Sequence, residues 1–331
     1  MPSAAGAPND VTIDIVITGT LGTNNWYTSN VTVNWVVTGA DNSSGCDAKT
    51  LTTDTTGTTL TCTASDVDGT LTKSKTFKID KTPPTATASA GRAADTNGWY
   101  NHALTVSFSG TDATAEIASC SSPVDYSGPN SANAVVNGSC TDNAGNVGTA
   151  SLPFNYDDTP PTATASASRA ADTNGWYNHP LTVSFSGSDA TAGLNACSTP
   201  VGYSTDNASA TVSGTCTDNA GNVTTASKPL KYDSTPPTAT ATGSRPADTN
   251  GWYNHPLTVN VTGSDTTAGI DVCSPTTYSG PDNNSATVSG SCTDNAGNVT
   301  TASKPLKYDS TPPTATATGS RPADTNGWYN H

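Results

Sequence analysis

Residues 175–197 read GWYNHPLTVSFSGSDATAGLNAC, and residues 211–222 read TVSGTCTDNAGN. In Leu181-Thr-Val183-Ser-Phe185-Ser the apolar side chains fall on alternate positions, which marks a strand with one buried face. The same alternation from Ala210 to Cys216 places Val212 and Cys216 inward. Thr162–Ser166 reads as a short first strand, Leu194–Tyr203 carries Cys197, and Lys228–Tyr232 closes the unit with Leu230 and Tyr232 inward. Between them, Asp172–Gly175, Ser188–Gly193 and Thr217–Asn222 are turns and loops, built from residues that accept tight bends or bond their own backbone. Six or seven short strands at this spacing predict a β-sandwich of immunoglobulin-like build.

The unit recurs. Residues 216–255 and 292–331 are one string, CTDNAGNVTTASKPLKYDSTPPTATATGSRPADTNGWYNH, repeated at an offset of 76 residues. Trp26, Trp99, Trp176, Trp252 and Trp328 keep the period, as do the proline pairs that begin at Pro83, Pro160, Pro236 and Pro312. A fixed period of this size means an array of one small module. The expected boundaries are 1–82 for a divergent first module, then 83–159, 160–235 and 236–311, with 312–331 beginning a fifth. The end at His331, inside that fifth copy, reads as a fragment of something longer.

Only 33% of the residues are apolar, so each core is built from few large side chains and needs a staple. The cysteines supply one, two to a module: Cys46 with Cys62, Cys120 with Cys140, Cys197 with Cys216, and Cys273 with Cys292. An even count at regular spacing reads as four intramodular disulfides. In the chain-entropy model each contributes about 3 kcal/mol. No CxxC and no histidine pair accompanies them, so zinc fits poorly. Disulfides imply an oxidising, extracellular destination. A net charge of −14 argues against nucleic acid or anionic membrane as partners, and no run is long and apolar enough for a membrane span. The acids are almost all aspartate, with Glu116 the one glutamate. Together with Asn, Gly, Ser and Thr this is turn chemistry, and the chain is expected to be all-β.

The strings GWYNHPLTVSFSGSDATAGLNAC, TVSGTCTDNAGNV and KYDSTPPT resemble the bacterial Ig-like repeats of large secreted adhesins and surface proteins. Modules two to four carry the resemblance closely. The first departs from it, with Asn25-Trp26-Tyr27 for GWY and Ala64–Gly69 for the TDNAGN turn. The resemblance implies non-catalytic extracellular rods, some with calcium at the module junctions. Each junction reads Asp, a variable residue, Thr, Pro, Pro, led by Asp80, Asp157, Asp233 and Asp309. Paired prolines make a short, stiff connector, so an elongated rod of limited bending is expected.

Calcium takes oxygen ligands, and the candidates are Asp80, Asp142, Asp157, Asp158, Asp218, Asp233, Asp294 and Asp309. The linker aspartates are expected to meet the DNAGN turns, or the Asp189-type loop of the next module. The plainer reading is that these are Asx-turns, which accounts for every one of them. Trp99, Trp176 and Trp252 read either as stacking platforms for cell-surface glycans or as packing residues of the core or the proline linker. His102, His179, His255 and His331 recur singly and read as surface residues at strand entries. No serine elbow, triad or phosphate loop is present, so no catalytic residue is assigned.

The expected function is structural: a stalk or spacer of a surface adhesin or secreted surface protein, its partners being adjacent modules of the same or another copy. Two alternatives stand beside it. One is a filament subunit completed by strand addition between chains. The other is a set of weak multivalent carbohydrate binders.

Overall fold

The computed structural model describes residues 10–322 and 326–328; His331 lies outside them, with the rest of both termini. Every regular element among the described residues is a β-strand. The chain forms tandem immunoglobulin-like β-sandwich modules with one disulfide each. It packs as two compact units: Met1–Thr162 with Ser188–Ala196 and Thr217–Thr224, and Ala163–Gly187 with Cys197–Cys216 and Thr225–His331.

The first unit opens with β1 (Thr12–Thr18), β2 (Trp26–Tyr27), β3 (Val31–Thr38), β4 (Asn42–Ser44), β5 (Lys49–Leu51), β6 (Thr55–Ser65) and β7 (Thr70–Ile79). They form a three-stranded sheet, β1-β3-β5, and a four-stranded one, β2-β7-β6-β4. A second set repeats the plan: β8 (Thr85–Ala90), β9 (Trp99–Tyr100), β10 (Leu104–Thr111), β11 (Ile117–Cys120), β12 (Val124–Tyr126), β13 (Ser131–Asp142) and β14 (Val147–Tyr156). Its sheets run β12-β10-β8 and β11-β13-β14-β9. The core between them joins Leu104 and Val106 of one sheet to Tyr100, Val136 and Tyr156 of the other.

The second unit holds two cores of the same make. One gathers Tyr177, Leu181, Val183, Phe185, Val212, Leu230 and Tyr232, so the alternation read from the sequence points these side chains inward. The other gathers Tyr253, Leu257, Val259, Val288, Leu306 and Tyr308. Such cores leave little slack. A Cβ on Gly214 would lie 2.7 Å from the Phe185 ring, so the ring occupies the space that a side chain would take. Gly214→Ala should therefore destabilise its module by about 1–3 kcal/mol, through overpacking. Thermal unfolding checks this, and an unchanged transition would mean that the ring has room to move aside.

The disulfides do not join the two sheets of a sandwich. Cys120 of β11 and Cys140 of β13 are direct cross-strand partners within one sheet, and Cys273 and Cys292 pair in the same way. The bond therefore pins an edge strand, a placement that spacing alone did not reveal.

Candidate metal centres at the module junctions

The GWY segments at 98–100, 175–177 and 251–253 are hairpins closed by Asn-Gly. Asn97 sits at φ 50° and Gly98 at φ 81°, the left-handed pair that a two-residue turn of this hand requires. The Trp99 amide donates to the Thr96 carbonyl at 2.8 Å. The hairpin then secures the linker, because the Tyr100 carbonyl accepts the Asp157 amide at 2.9 Å. Tyr27 does the same for Asp80, and Tyr177 for Asp233. A second residue of the preceding module grips the linker as well. Asp54 accepts from the Thr82 hydroxyl, Asn130 from the Asp158 amide, and Asp206 from the Ser234 amide.

From that anchored backbone, the linker carboxylates Asp80, Asp157 and Asp233 reach into the module that follows. Asp80 accepts the Thr82 amide on Oδ1 and the Ala115 amide on Oδ2, both at 3.1 Å. Asp157 takes the Thr159 and Ala192 amides in the same way, and Asp233 takes those of Thr235 and Ala268. Two carboxylates of the receiving module meet it. Asp112 caps its own loop, its Oδ1 accepting the amides of Thr114, Ala115 and Glu116. Asp142 ends β13 and accepts the amides of Gly145 and Asn146 on Oδ1 and the Asn146 side chain on Oδ2. The Asn146 amide group also donates to the Asp80 carbonyl at 3.0 Å, tying turn to linker.

Three carboxylates thus converge at each of the first three junctions: Asp80, Asp112 and Asp142; Asp157, Asp189 and Asp218; Asp233, Asp265 and Asp294. In each set, one oxygen from every residue lies within 4.8 Å of the others. The first and third members are buried. None of the ion pairs among the described residues involves any of the nine. The electrostatic consequence is a raised affinity for positive charge. Burial is the main cause that lifts Asp80 to about 6; the Thr82 amide opposes it, while Asp112, Asp142 and Asp54 add to it. Burial likewise lifts Asp233 to about 6 against the Thr235 and Ala268 amides, helped by Asp265 and Asp206. Asp157 is raised for the same first reason, with Asp189 and Asp218 contributing.

The tryptophan hairpin covers the junction. Trp26 packs with Ala115 and Ala144 of the following module, and Trp176 with Ala268 and Ala296. Trp176 is only 7% exposed, so its ring offers no open stacking face, and Trp99 and Trp252 are half-buried. Its packing partner is the next module rather than its own core or the prolines. Polar contacts reinforce the seat: Asn101 donates to the Ala220 carbonyl at 3.0 Å and Asn97 to the Asn219 carbonyl at 3.3 Å. Gly221 must be glycine twice over. Its φ is +92°, and a Cβ there would stand 2.7 Å from the Thr96 hydroxyl. The side-chain oxygens of Asn101 and Asn178 are buried without a hydrogen-bond partner.

Six of the eight aspartates expected as ligands therefore sit in the three centres. Asp158 does not: its carboxylate accepts from the Tyr156 hydroxyl instead. Asp309 is exposed and caps Thr311. The three that complete the centres, Asp112, Asp189 and Asp265, lie outside those eight, although the Asp189-type loop is one of the two places where the sequence expects the linker aspartates to make contact. Their signal was available as an Asp-x-Thr-Ala string in step with the other two aspartates of each period. His102, His179 and His255 are exposed, each with Nδ1 3.6–3.9 Å from a hairpin aspartate.

No family model matches this sequence, and no curated protein matches it. Among solved structures, the tetra-tandem repeat in the extending region of a large adhesion protein is 19% identical, over 92% of this chain and 93% of that one, with a TM-score of 0.35. The extracellular domain of Protocadherin GammaB4 is 11% identical, over 89% of this chain and 61% of that one, with a TM-score of 0.25. The first eight Ig domains of Down Syndrome Cell Adhesion Molecule are 9% identical, over 85% and 52%, with a TM-score of 0.21.

Proposed function

We propose that this chain is a non-catalytic structural segment of an extracellular surface protein, in which a divalent cation, calcium by its ligand chemistry, fastens each module to the next. The observation that carries the reading is the largely buried carboxylate triad at three successive junctions, with one member on the linker and two on the following module. Two buried carboxylates and a half-buried third, with no paired base, are costly unless they are protonated or neutralised by a cation. The donor set is all oxygen and carries three negative charges, which suits a hard divalent ion better than zinc or copper. The buried, unpartnered oxygens of Asn101 and Asn178 place further acceptor capacity at two of the junctions. A bound cation would supply charge neutralisation at the carboxylates. The chain's own residues do the rest: the hairpin holds the linker, Asp80-type residues cross it, and Asp112- and Asp142-type residues receive it.

Extracellular placement rests on the four disulfides, and the structural role on the repetition of one unit without a catalytic constellation. Thermal unfolding of the oxidised chain in calcium and in EGTA tests the reading, with small-angle scattering in both. At a calcium concentration a thousand times Kd, stability should rise by about 4 kcal/mol per linked site. Equal melting temperatures and no heat of binding would reduce the triads to turn residues. A scattering mass above one chain would favour assembly between chains.

A further inference from the structure

We propose that the disulfides Cys120–Cys140 and Cys273–Cys292 are positioning residues of the junction centres: they hold together the two carboxylates with which a module receives its neighbour. Two such carboxylates repel one another, so something must keep their loops in place before any cation or linker arrives. The sulfurs stand where that support is needed. Cys120 is the last residue of the short edge strand β11, and the Asp112 loop leads into that strand. Cys140 lies two residues before Asp142 at the end of β13, and Ile117 pairs with Asp142 across a register shift. A third strand bears on the same bond. A Cβ on Gly110, two residues before Asp112, would stand 3.0 Å from the Cys140 sulfur. The disulfide therefore touches the strand entering the Asp112 loop, the strand leaving it and the strand that ends in Asp142.

The fourth module repeats the pairing, the register shift and the close glycine, with Cys273 one residue from the end of its edge strand. Cys273 pairs with Cys292, Ile270 with Asp294 across the same shift, and a Cβ on Gly263 would stand 3.0 Å from the Cys292 sulfur. The first module supplies the contrast. Its buried Ala64 occupies the place two residues after Cys62 where the others have aspartate, and among the described residues its one contribution to a triad is the linker aspartate Asp80, so it holds no receiving pair. There Cys46 lies outside any strand, and the Cα atoms are 4.6 Å apart rather than 3.9 and 4.0 Å. The strand-end disulfide thus accompanies the carboxylates, whereas the need for a staple is common to all modules.

The test uses the full chain with Cys273→Ser and Cys292→Ser together, and with Cys273→Ala and Cys292→Val as a pair that keeps more of the packing. Calcium isotherms and amide hydrogen exchange at Ala268 and Val288 are recorded. Ala268 donates to both Asp233 and Asp265, whereas Val288 lies in the module core. The affinity readout rests on the calcium reading above; the exchange readout in EGTA does not. The expected result is that one site loses calcium affinity by about tenfold or more, as support residues of metal sites do. Protection at Ala268 falls while that at Val288 persists. Removing Cys46 and Cys62 should leave all calcium sites unchanged. Unchanged affinity and unchanged Ala268 protection would overturn the proposal. So would loss of the module core in both variant pairs, which makes the bond a general staple. An unmodified chain that binds no calcium sinks the cation reading, while the exchange comparison still decides the positioning role.

Discussion

Replacing Asp265 with asparagine should move the stability of the fourth module in opposite directions, according to whether calcium is present. Asp265 holds its loop through Oδ1 alone, which accepts the amides of Thr267, Ala268 and Gly269. Asparagine keeps that acceptor, so the turn survives. What changes is the other branch, where a carboxylate oxygen becomes a donor beside Asp233 and Asp294. In EGTA at neutral pH the substitution removes one of three clustered negative charges and adds a hydrogen-bond donor. A gain of about 1–2 kcal/mol is expected, within the usual range for relieving buried like charge. In a module of this size that raises the melting temperature by about 4–8 °C per kcal/mol. In calcium the sign reverses, because a ligand oxygen and a unit of charge are lost. Differential scanning calorimetry of both proteins in both buffers is the measurement. A variant that is less stable in EGTA would show that the cluster is not under repulsive stress; one that keeps the full calcium response would remove Asp265 from the ligand set.

The second large effect is a pH profile that calcium should invert. Asp80 and Asp233 are raised to about 6 by burial, and Asp157 is raised in the same direction. A carboxyl whose folded pKa lies above its unfolded value near 3.8 stabilises the fold fully below 3.8, and that contribution is lost as pH rises through about 6. In EGTA, stability should therefore fall between pH 4 and pH 7, on the order of 2–3 kcal/mol for the third junction. Asp95, Asp172 and Asp206 have the opposite sign. Burial works against them, but their hydrogen bonds and, for the first two, the neighbouring arginines hold them below the usual carboxylate range. Their contribution is present above 3.8 and fades below it, so the two sets act in different windows. With calcium the carboxylates must be ionised to bind, and stability should instead rise from pH 5 to pH 7. Chemical denaturation at four pH values, with and without the ion, distinguishes these curves. A flat profile in EGTA would mean that the triads are solvated.

Much of this architecture is legible in the sequence. Leu181, Val183 and Phe185 announced a half-buried strand because side-chain direction in a strand has period two and needs no knowledge of partners. The cysteine pairs and proline linkers announced themselves by repetition. The centres were legible only in part, for a physical reason. Asp157 and Asp218 stand out as a linker and a strand end, whereas Asp189 looks like an ordinary loop cap, and it is one. Its Oδ1 satisfies the Thr191 and Gly193 amides, as turn chemistry requires. The turn reading and the cluster reading looked like rivals, yet one carboxylate has two oxygens and serves both. The tryptophans hid similarly. Burial was foreseeable from the scarcity of other large side chains. That the burial is forward, onto alanines of the following module, depends on how the hairpin is presented, which no periodicity encodes.

The identical string 216–255 and 292–331 contains a receiving turn, a linker and a giving hairpin in succession. Modules two to four each carry one complete receiving end, and the first four modules each carry one giving end. Whole periods can therefore be inserted or deleted by unequal recombination, and each joint in the product is still assembled from matched halves. A break out of phase would instead pair mismatched loops. The chain is thus built so that copy number is a heritable variable separable from stability: selection can adjust how many modules there are without redesigning any of them.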